Sequence, residues 1–316
     1  MGGSKIARGT FTGGQSNMNA VLVGAVECTG AILEAMVETP LSISAVVTPE
    51  PSIGRARHAD YLDLAPLCAR YGIDCHRIAN EAEVAGIVRR SKPDVLFVCG
   101  WSRLLSDDAV AAARLGGIGF HPAPLPIGRG RHPLIWTILL GLPEGAVTFF
   151  RMTPDADAGE ILSQRRFAIA RDETARTLMD KVKSEAKAAV SELVSSVVAS
   201  GSLRGIPQNE RDAVVWRKRS SADGRVDFRM TAESIDRLVR ALTLPYPGAT
   251  AVTGDGHMAT IWRTEVLPRP EAARWAEPGR VVAEIKGVPI VACGRDAVSL
   301  AEHGFDPVPR PGDWFN

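Results

Sequence analysis

The chain has 316 residues, room for one large domain or two ordinary ones. Hydrophobic residues make up 45% and charged residues 23%, a globular balance that argues against disorder for the bulk of the chain. Lys plus Arg number 37 against 36 Asp plus Glu; the net charge of +1 argues against a dedicated nucleic-acid binder, and no apolar run is long enough to span a bilayer. Cys28, Cys68, Cys75, Cys99 and Cys293 are odd in number and form no CxxC pair. They point to a reducing, cytoplasmic setting, with no disulfide framework and no metal knuckle. Although His76 follows Cys75, no cysteine lies in a recognisable catalytic Cys–His motif, which disfavours a catalytic thiol.

Residues 1–17 are rich in Gly and Ser and lack the apolar stretch of a signal peptide. They read as a leader or tail, expected to be disordered, with Met18 as a natural start. Strand and helix signals then alternate. Strands are expected over 20–25, 42–47, 74–78, 93–99 and 117–121. Helices are expected over 29–37, 60–71, 81–90 and 106–114, the last capped by Ser106. Such alternation builds a mainly parallel sheet with helices on both faces. Beyond it the pattern predicts a helix over 133–140, strands over 146–152 and 161–169, and a long helix over 174–199. Residues 201–219 show little periodicity and read as a linker. A helix over 232–242 precedes short strands over 249–252, 258–262, 280–285, 288–293 and 298–301, the pattern of a small barrel or curled sheet. The expected organisation is therefore an α/β domain over 18–204 and a smaller β-rich, barrel-like domain over 205–316.

Two stretches invite a chemical reading. Residues 24–30 (GAVECTG) follow the first strand. They fit a nucleotide-binding turn or a tight turn that needs small residues; they match neither G-x-G-x-x-G nor a P-loop. Residues 117–162 are more informative. His121 ends a predicted parallel strand, where open α/β sheets place their sites. Pro122, Pro124 and Pro126 stiffen the exit, and Arg129-Gly130 puts a cation on a turn. Asp155 and Asp157 follow a later strand, with Asp157 36 residues beyond His121. A His–carboxylate pair holds an imidazole ready for proton transfer. A structural His and an ordinary turn over 155–159 fit the same residues.

Here the sequence resembles the folate-dependent formyltransferases, whose pattern is Asn-x-His-x-Ser-Leu-Leu-Pro-x-x-Arg-Gly followed by Asp-x-Gly after a strand. His121, Leu125, Pro126, Arg129 and Gly130 match, as do Pro133, Trp136, Gly141, the strand at 146–148 and the loop at 157–162. Residues 216–227, 235–243 and 245–249 resemble the start of the family's C-terminal domain. There are two departures. Gly119 stands where the family has its catalytic Asn, and Ala123 where it has Ser. Loss of such an oxyanion donor removes on the order of 3 kcal/mol of transition-state stabilisation.

The resemblance implies a Rossmann-like fold and transfer of a formyl group from 10-formyltetrahydrofolate to an amine through a tetrahedral intermediate. It implies His121 as base and Asp157 as its partner. It implies that the donor is held by Cys99, Gly100, Trp101, Arg103, Leu104, Met152, Asp155 and Ala156. Trp101 would meet the pterin and Arg103 the glutamate tail; a packing Trp and a surface Arg are the plain alternatives. Pro122, Ala123, Arg129, Gly130 and Arg131 would face the acceptor, with no metal. Residues 46–63 lack the Lys-rich loop expected of the tRNA-acting members. The expected acceptor is therefore a small amine, foremost a nucleotide-linked amino sugar. The alternatives are methionyl-tRNA, or folate binding with altered or lost activity because of Gly119. The oligomeric state is open, a homodimer being one option.

Overall fold

The computed structural model describes residues 18–316, so the tail reading of 1–17 lies outside the described residues. The first half alternates as expected: β1 (Asn19–Val23), α1 (Glu27–Val37), β2 (Ser42–Pro49), α2 (Pro51–Arg57), α3 (Ala65–Tyr71), β3 (Asp74–Ile78), α4 (Ala82–Ser91), β4 (Val95–Cys99), α5 (Asp107–Ala111) and β5 (Gly117–His121). Then come β6 (Ile127–Gly130), α6 (Pro133–Leu139), β7 (Glu144–Arg151), β8 (Ile161–Ala168) and α7 (Ala175–Ser200). A seven-stranded sheet runs in the order β3-β2-β1-β4-β5-β7-β8. Its first five strands are parallel, and β7 and β8 are antiparallel additions. The chain builds outward from β1 in both directions, so a crevice opens at the carboxyl ends of β1 and β4. Every residue of β4 is buried, because both sheet faces are covered. One face packs on α1 and α7 through residues such as Ile32, Leu33, Val190 and Leu193. The other packs on α4 and α5 through Val84, Val88 and Ala109.

Two expectations are corrected, and one helix is added. The helix expected over 60–71 begins only at Ala65, because Pro66 fits the first turn of a helix and not its interior. Residues 60–62 instead lie along α1, where Glu27 N–H donates to the Asp60 carbonyl at 3.0 Å and Leu62 N–H to the Ala25 carbonyl at 2.9 Å. The short helix α2, opened by Pro51, was not expected. The presumed linker is structured: β9 (Val214–Trp216) pairs in parallel with β6, beside His121.

At 24–30 the structure favours the packing turn. A Cβ on Gly24 would lie 2.2 Å from the Cys99 carbonyl, and Thr29 Oγ1 donates to that same carbonyl at 2.7 Å. The turn joins α1 to the end of β4.

The C-terminal half holds α8 (Ala232–Leu242), β10 (Ala249–Val252), β11 (Met258–Leu267), β12 (Val281–Ile285), β13 (Val288–Ala292) and β14 (Ala297–His303). These strands form a five-stranded antiparallel sheet in the order β10-β11-β14-β13-β12. The last residues link its two edges: Asn316 N–H donates to Val252 at 2.8 Å, and Phe315 N–H to Gly279 at 2.9 Å. The curled sheet expected here is present. Ile235, Leu238, Val239 and Leu242 of α8 are buried in the large core they share with α7. No helix among the described residues is long and apolar enough to cross a membrane.

Glu27 pins α1 to α7. It accepts from Arg176 at 2.8 Å and from Lys183 at 2.9 Å. Burial pushes its carboxyl up, but the two cations outweigh burial and hold it below the ordinary 4.5. A depressed folded-state pKa contributes stability above that pH and loses it as pH falls through the lower folded value. Glu27→Gln should therefore cost about 1 kcal/mol at neutral pH, the half-exposed partners limiting the loss. In urea denaturation the difference from wild type should shrink toward acid pH; a constant difference would contradict this role.

Candidate active site

On β5, Gly117, Gly119 and His121 project to one face, and β7 sets Phe150 opposite Gly119 and Thr148 opposite His121. His121 is only 6% exposed. Its Nε2 lies 2.7 Å from the Gly128 carbonyl. A carbonyl can only accept, so Nε2 carries the hydrogen and Nδ1 is the nitrogen free to take a proton. Nδ1 faces Asp157 Oδ2 at 3.7 Å. The His–carboxylate pair expected from sequence is thus brought together. The hydrogen bond that orients the ring, however, comes from Gly128.

The loop bearing Asp157 is held by the backbone of β6: Gly130 N–H donates to Asp157 Oδ2 at 2.9 Å. Asp157 itself sits at φ 55°, a left-handed conformation that Asp tolerates better than most residues. Strand β6 lies flat on Trp216. A Cβ at Gly128 would come within 2.6 Å of the Trp216 ring, and one at Gly130 within 2.5 Å of the Trp216 carbonyl. Both glycines have positive φ, so a side chain at either position meets strain as well as a clash.

Two of the residues expected to face the acceptor do not. Arg129 is 6% exposed and already engaged. Its guanidinium donates to Glu210 at 2.6 and 2.9 Å and to Gln208 at 2.9 and 3.1 Å. Four of its five N–H directions are used, so it is a structural cation and not a phosphate ligand. Ala123 is fully buried and its carbonyl accepts from Thr148 Oγ1 at 2.7 Å, so its methyl touches no solvent-side ligand. Pro122 and Gly130 are half-buried, and Arg131 is exposed. Arg131 Nη1 reaches the Ser102 carbonyl at 2.5 Å and so ties the 99–104 loop to the His121 loop.

In that loop Cys99 is buried, and burial drives its thiol well above the usual range. Gly100 and Trp101 are half-buried. Trp101 and Met152 pack against the same side of the sheet, and the buried indole Nε1 of Trp101 has no hydrogen-bond partner. Arg103 is exposed and lies 3.1 Å from Glu81, while Leu104 is 71% exposed. Asp155 and Ala156 are exposed at the tip of the Asp157 loop.

Gly119 has a specific neighbour. A Cβ there would sit 2.4 Å from the Phe150 ring, which is itself buried. The space a larger residue 119 would need is filled across the strand pair. Sequence reasoning did not find Phe150; a glycine in mid-strand facing a later aromatic strand was the available signal. Nor did it find Gln208 or Glu210, which act from a segment with no local pattern.

Beyond Arg131 lie two more arginines, Arg217 exposed and paired with Asp223, Arg219 buried. Arg217 and Arg219 lie 5.4 and 5.1 Å from the Trp136 ring. His132, at the start of α6, has a buried, unpartnered Nδ1. Burial, then Arg131, Arg219 and Lys218, push its pKa down, which favours the neutral ring. A groove of about 730 Å³ between α1, α3 and α7 is lined by none of the residues expected in the site. Among the described residues no group of three or more His, Cys, Asp and Glu is placed to hold a metal ion.

The formyl transferase family model matches residues 18–194, and the model for the formyl transferase C-terminal domain matches 218–307. The chain belongs to the formyltransferase family. It has the mainly parallel sheet and separate C-terminal β sheet of that family's fold. Solved structures agree in fold. HypX from Aquifex aeolicus, in complex with tetrahydrofolic acid, superposes with a TM-score of 0.65 at 17% identity over 89% of this chain. This formyltransferase spans only 43% of that HypX chain. The N-formyltransferase from Helicobacter canadensis, in complex with folinic acid and dTDP-3-aminofucose, gives 0.63 at 16% identity over 89% of this chain and 98% of its own. A sugar N-formyltransferase from Shewanella sp. gives 0.59 at 16% identity over 76% of this chain and 95% of its own.

Proposed function

We propose that this formyltransferase moves a formyl group from 10-formyltetrahydrofolate to the amine of a nucleotide-linked amino sugar. The observation that carries the reading is His121, with Nε2–H committed to Gly128 and Nδ1 open beside Asp157. As the acceptor amine bonds to the formyl carbon it must lose a proton; Nδ1 takes it while the Asp157 carboxylate stabilises the imidazolium, and Nδ1 returns it to the donor nitrogen as the bond from that nitrogen to the formyl carbon breaks. The Thr148 hydroxyl donates to the Ala123 carbonyl, and Gln164 donates to Thr148 and Leu125. Protonated His121 is therefore the side-chain donor this face keeps for charge developing on the formyl oxygen.

The folate side fits the 99–104 loop. The unpartnered Trp101 Nε1 offers a donor to a heteroaromatic ligand, and Gly100, Trp101 and Met152 would hold it. When bound, 10-formyltetrahydrofolate supplies the formyl group. For the acceptor, exposed Arg131 and Lys218 offer cations to a diphosphate, and the bound dTDP-sugar of the Helicobacter structure supports that class. The cytoplasm remains the expected setting.

The test is an absorbance assay of tetrahydrofolate release, with nucleotide-linked amino sugars and initiator methionyl-tRNA as acceptors. Release that depends on one sugar is expected. Release with tRNA alone would replace the acceptor class. Folate binding without release on any acceptor would count against this acceptor class and point to an acceptor outside the panel or to a site disabled at Gly119.

A further inference from the structure

We infer that Gln208 is a positioning residue that sets the place of Asp157 relative to His121. Its catalytic consequence rests on the proposed function; its structural consequence does not. Gln208 lies in the segment between α7 and β9, far in sequence from both site loops. Its amide is fully used. Nε2 donates to the Asp157 carbonyl at 2.8 Å and to the Gly159 carbonyl at 2.7 Å. Oε1 accepts from Arg129 Nε at 3.1 Å and Nη2 at 2.9 Å. The opposite amide orientation is excluded, because it would set an oxygen against two carbonyls and an NH₂ against a guanidinium.

One side chain thus joins the two loops of the site. Arg129 sits in β6 between Gly128, which orients His121, and Gly130, which holds Asp157 Oδ2. The Asp157 loop stands 3.7 Å off the imidazole with no direct hydrogen bond of its own to it. Its place is therefore set from outside, by Gly130 N–H on one side and Gln208 on the other. Glu210 completes the arrangement by neutralising Arg129, and the guanidinium in turn holds the Glu210 carboxyl below its usual range. Among residues of the 201–219 segment, Gln208 is the one that bonds to both loops at once.

Gln208→Glu can still accept from Arg129 but cannot donate to the two carbonyls; Gln208→Met keeps the length and loses both halves. Both should lower kcat about 10- to 100-fold with KM for donor and acceptor little changed, as expected when a reacting group is misplaced by a fraction of an ångström to an ångström. Gln208→Met added to Asp157→Asn should cost little more than Asp157→Asn alone, because it acts through Asp157. The readout free of activity is amide hydrogen exchange at Gly130, whose N–H is bonded to Asp157. Exchange there should accelerate in Gln208→Met while exchange in β4 stays as in wild type. Multiplicative losses with Asp157→Asn, or an unchanged Gly130 amide, would overturn the inference. A wild-type protein that transfers no formyl group would overturn the proposed function, and the Gly130 readout would still decide this one. Should Gln208→Met fail to fold, Gln208→Glu carries the same comparison.

Discussion

His121→Ala should lower kcat about 10²- to 10⁴-fold, the range a positioned general base contributes. Its buried ring makes one hydrogen bond, to Gly128, and removing it leaves that buried carbonyl unpaired, so the fold should lose about 1–3 kcal/mol. His121→Gln separates the two roles. It can keep a donor for the Gly128 carbonyl but offers no base at Nδ1, so it should be as inactive as Ala with wild-type stability. Asp157→Asn should fall by orders of magnitude too, since it keeps an oxygen for Gly130 N–H and loses the charge beside Nδ1. Melting curves and steady-state kinetics on the three variants check this. Near wild-type turnover in His121→Gln would remove His121 from the chemistry.

The second large effect concerns Gly119. Restoring the family's Asn by itself should fail. A side chain at 119 drives its Cβ into the Phe150 ring, 2.4 Å away, and overpacking of this kind costs about 1–3 kcal/mol. Phe150→Ala alone should cost about 3–5 kcal/mol as a buried aromatic truncation. The double variant should lose less than the sum by at least about 1 kcal/mol, because each change makes room for the other. It should also turn over about 10²-fold faster than Phe150→Ala, since a carboxamide beside His121 adds a donor for the developing oxyanion. Additive stability losses with equal turnover would show that Gly119 and Phe150 do not share one space. These measurements also bear on the reading of a disabled homologue, because they ask whether the chain can use the missing group.

Much of the fold was legible because buried parallel strands are written locally. Within the 93–99 stretch, residues 95–99 are apolar without interruption, and β4 is buried at every residue. Ser106 reads as an N-cap and does accept from Ala109 N–H at 3.3 Å. Thr174 does the same for α7, accepting from Thr177 N–H at 3.2 Å. What was not legible depends on distant partners. Arg129 looks like a free cation in sequence, and Glu210, 81 residues on, is what engages it. The resemblance set Ala123 facing the acceptor, yet it is buried and its carbonyl accepts from Thr148. The 201–219 segment lacks periodicity because its residues serve the site loops and not a face of their own. The juxtaposition of His121 and Asp157 was only half legible: His121 ends β5, but β7 runs antiparallel to it, and it is Gly130 of β6 that binds the loop after β7 and brings Asp157 to the imidazole.

The most direct test of the account uses a formyl donor carrying an isotopic label in the formyl carbon. Wild type and His121→Ala are incubated with the labelled 10-formyltetrahydrofolate and the panel of nucleotide-linked amino sugars, and products are read by mass spectrometry. The account predicts the label on the sugar amine with wild type and its absence with His121→Ala. Label recovered only as formate, or only on methionyl-tRNA when that acceptor is supplied, would contradict it.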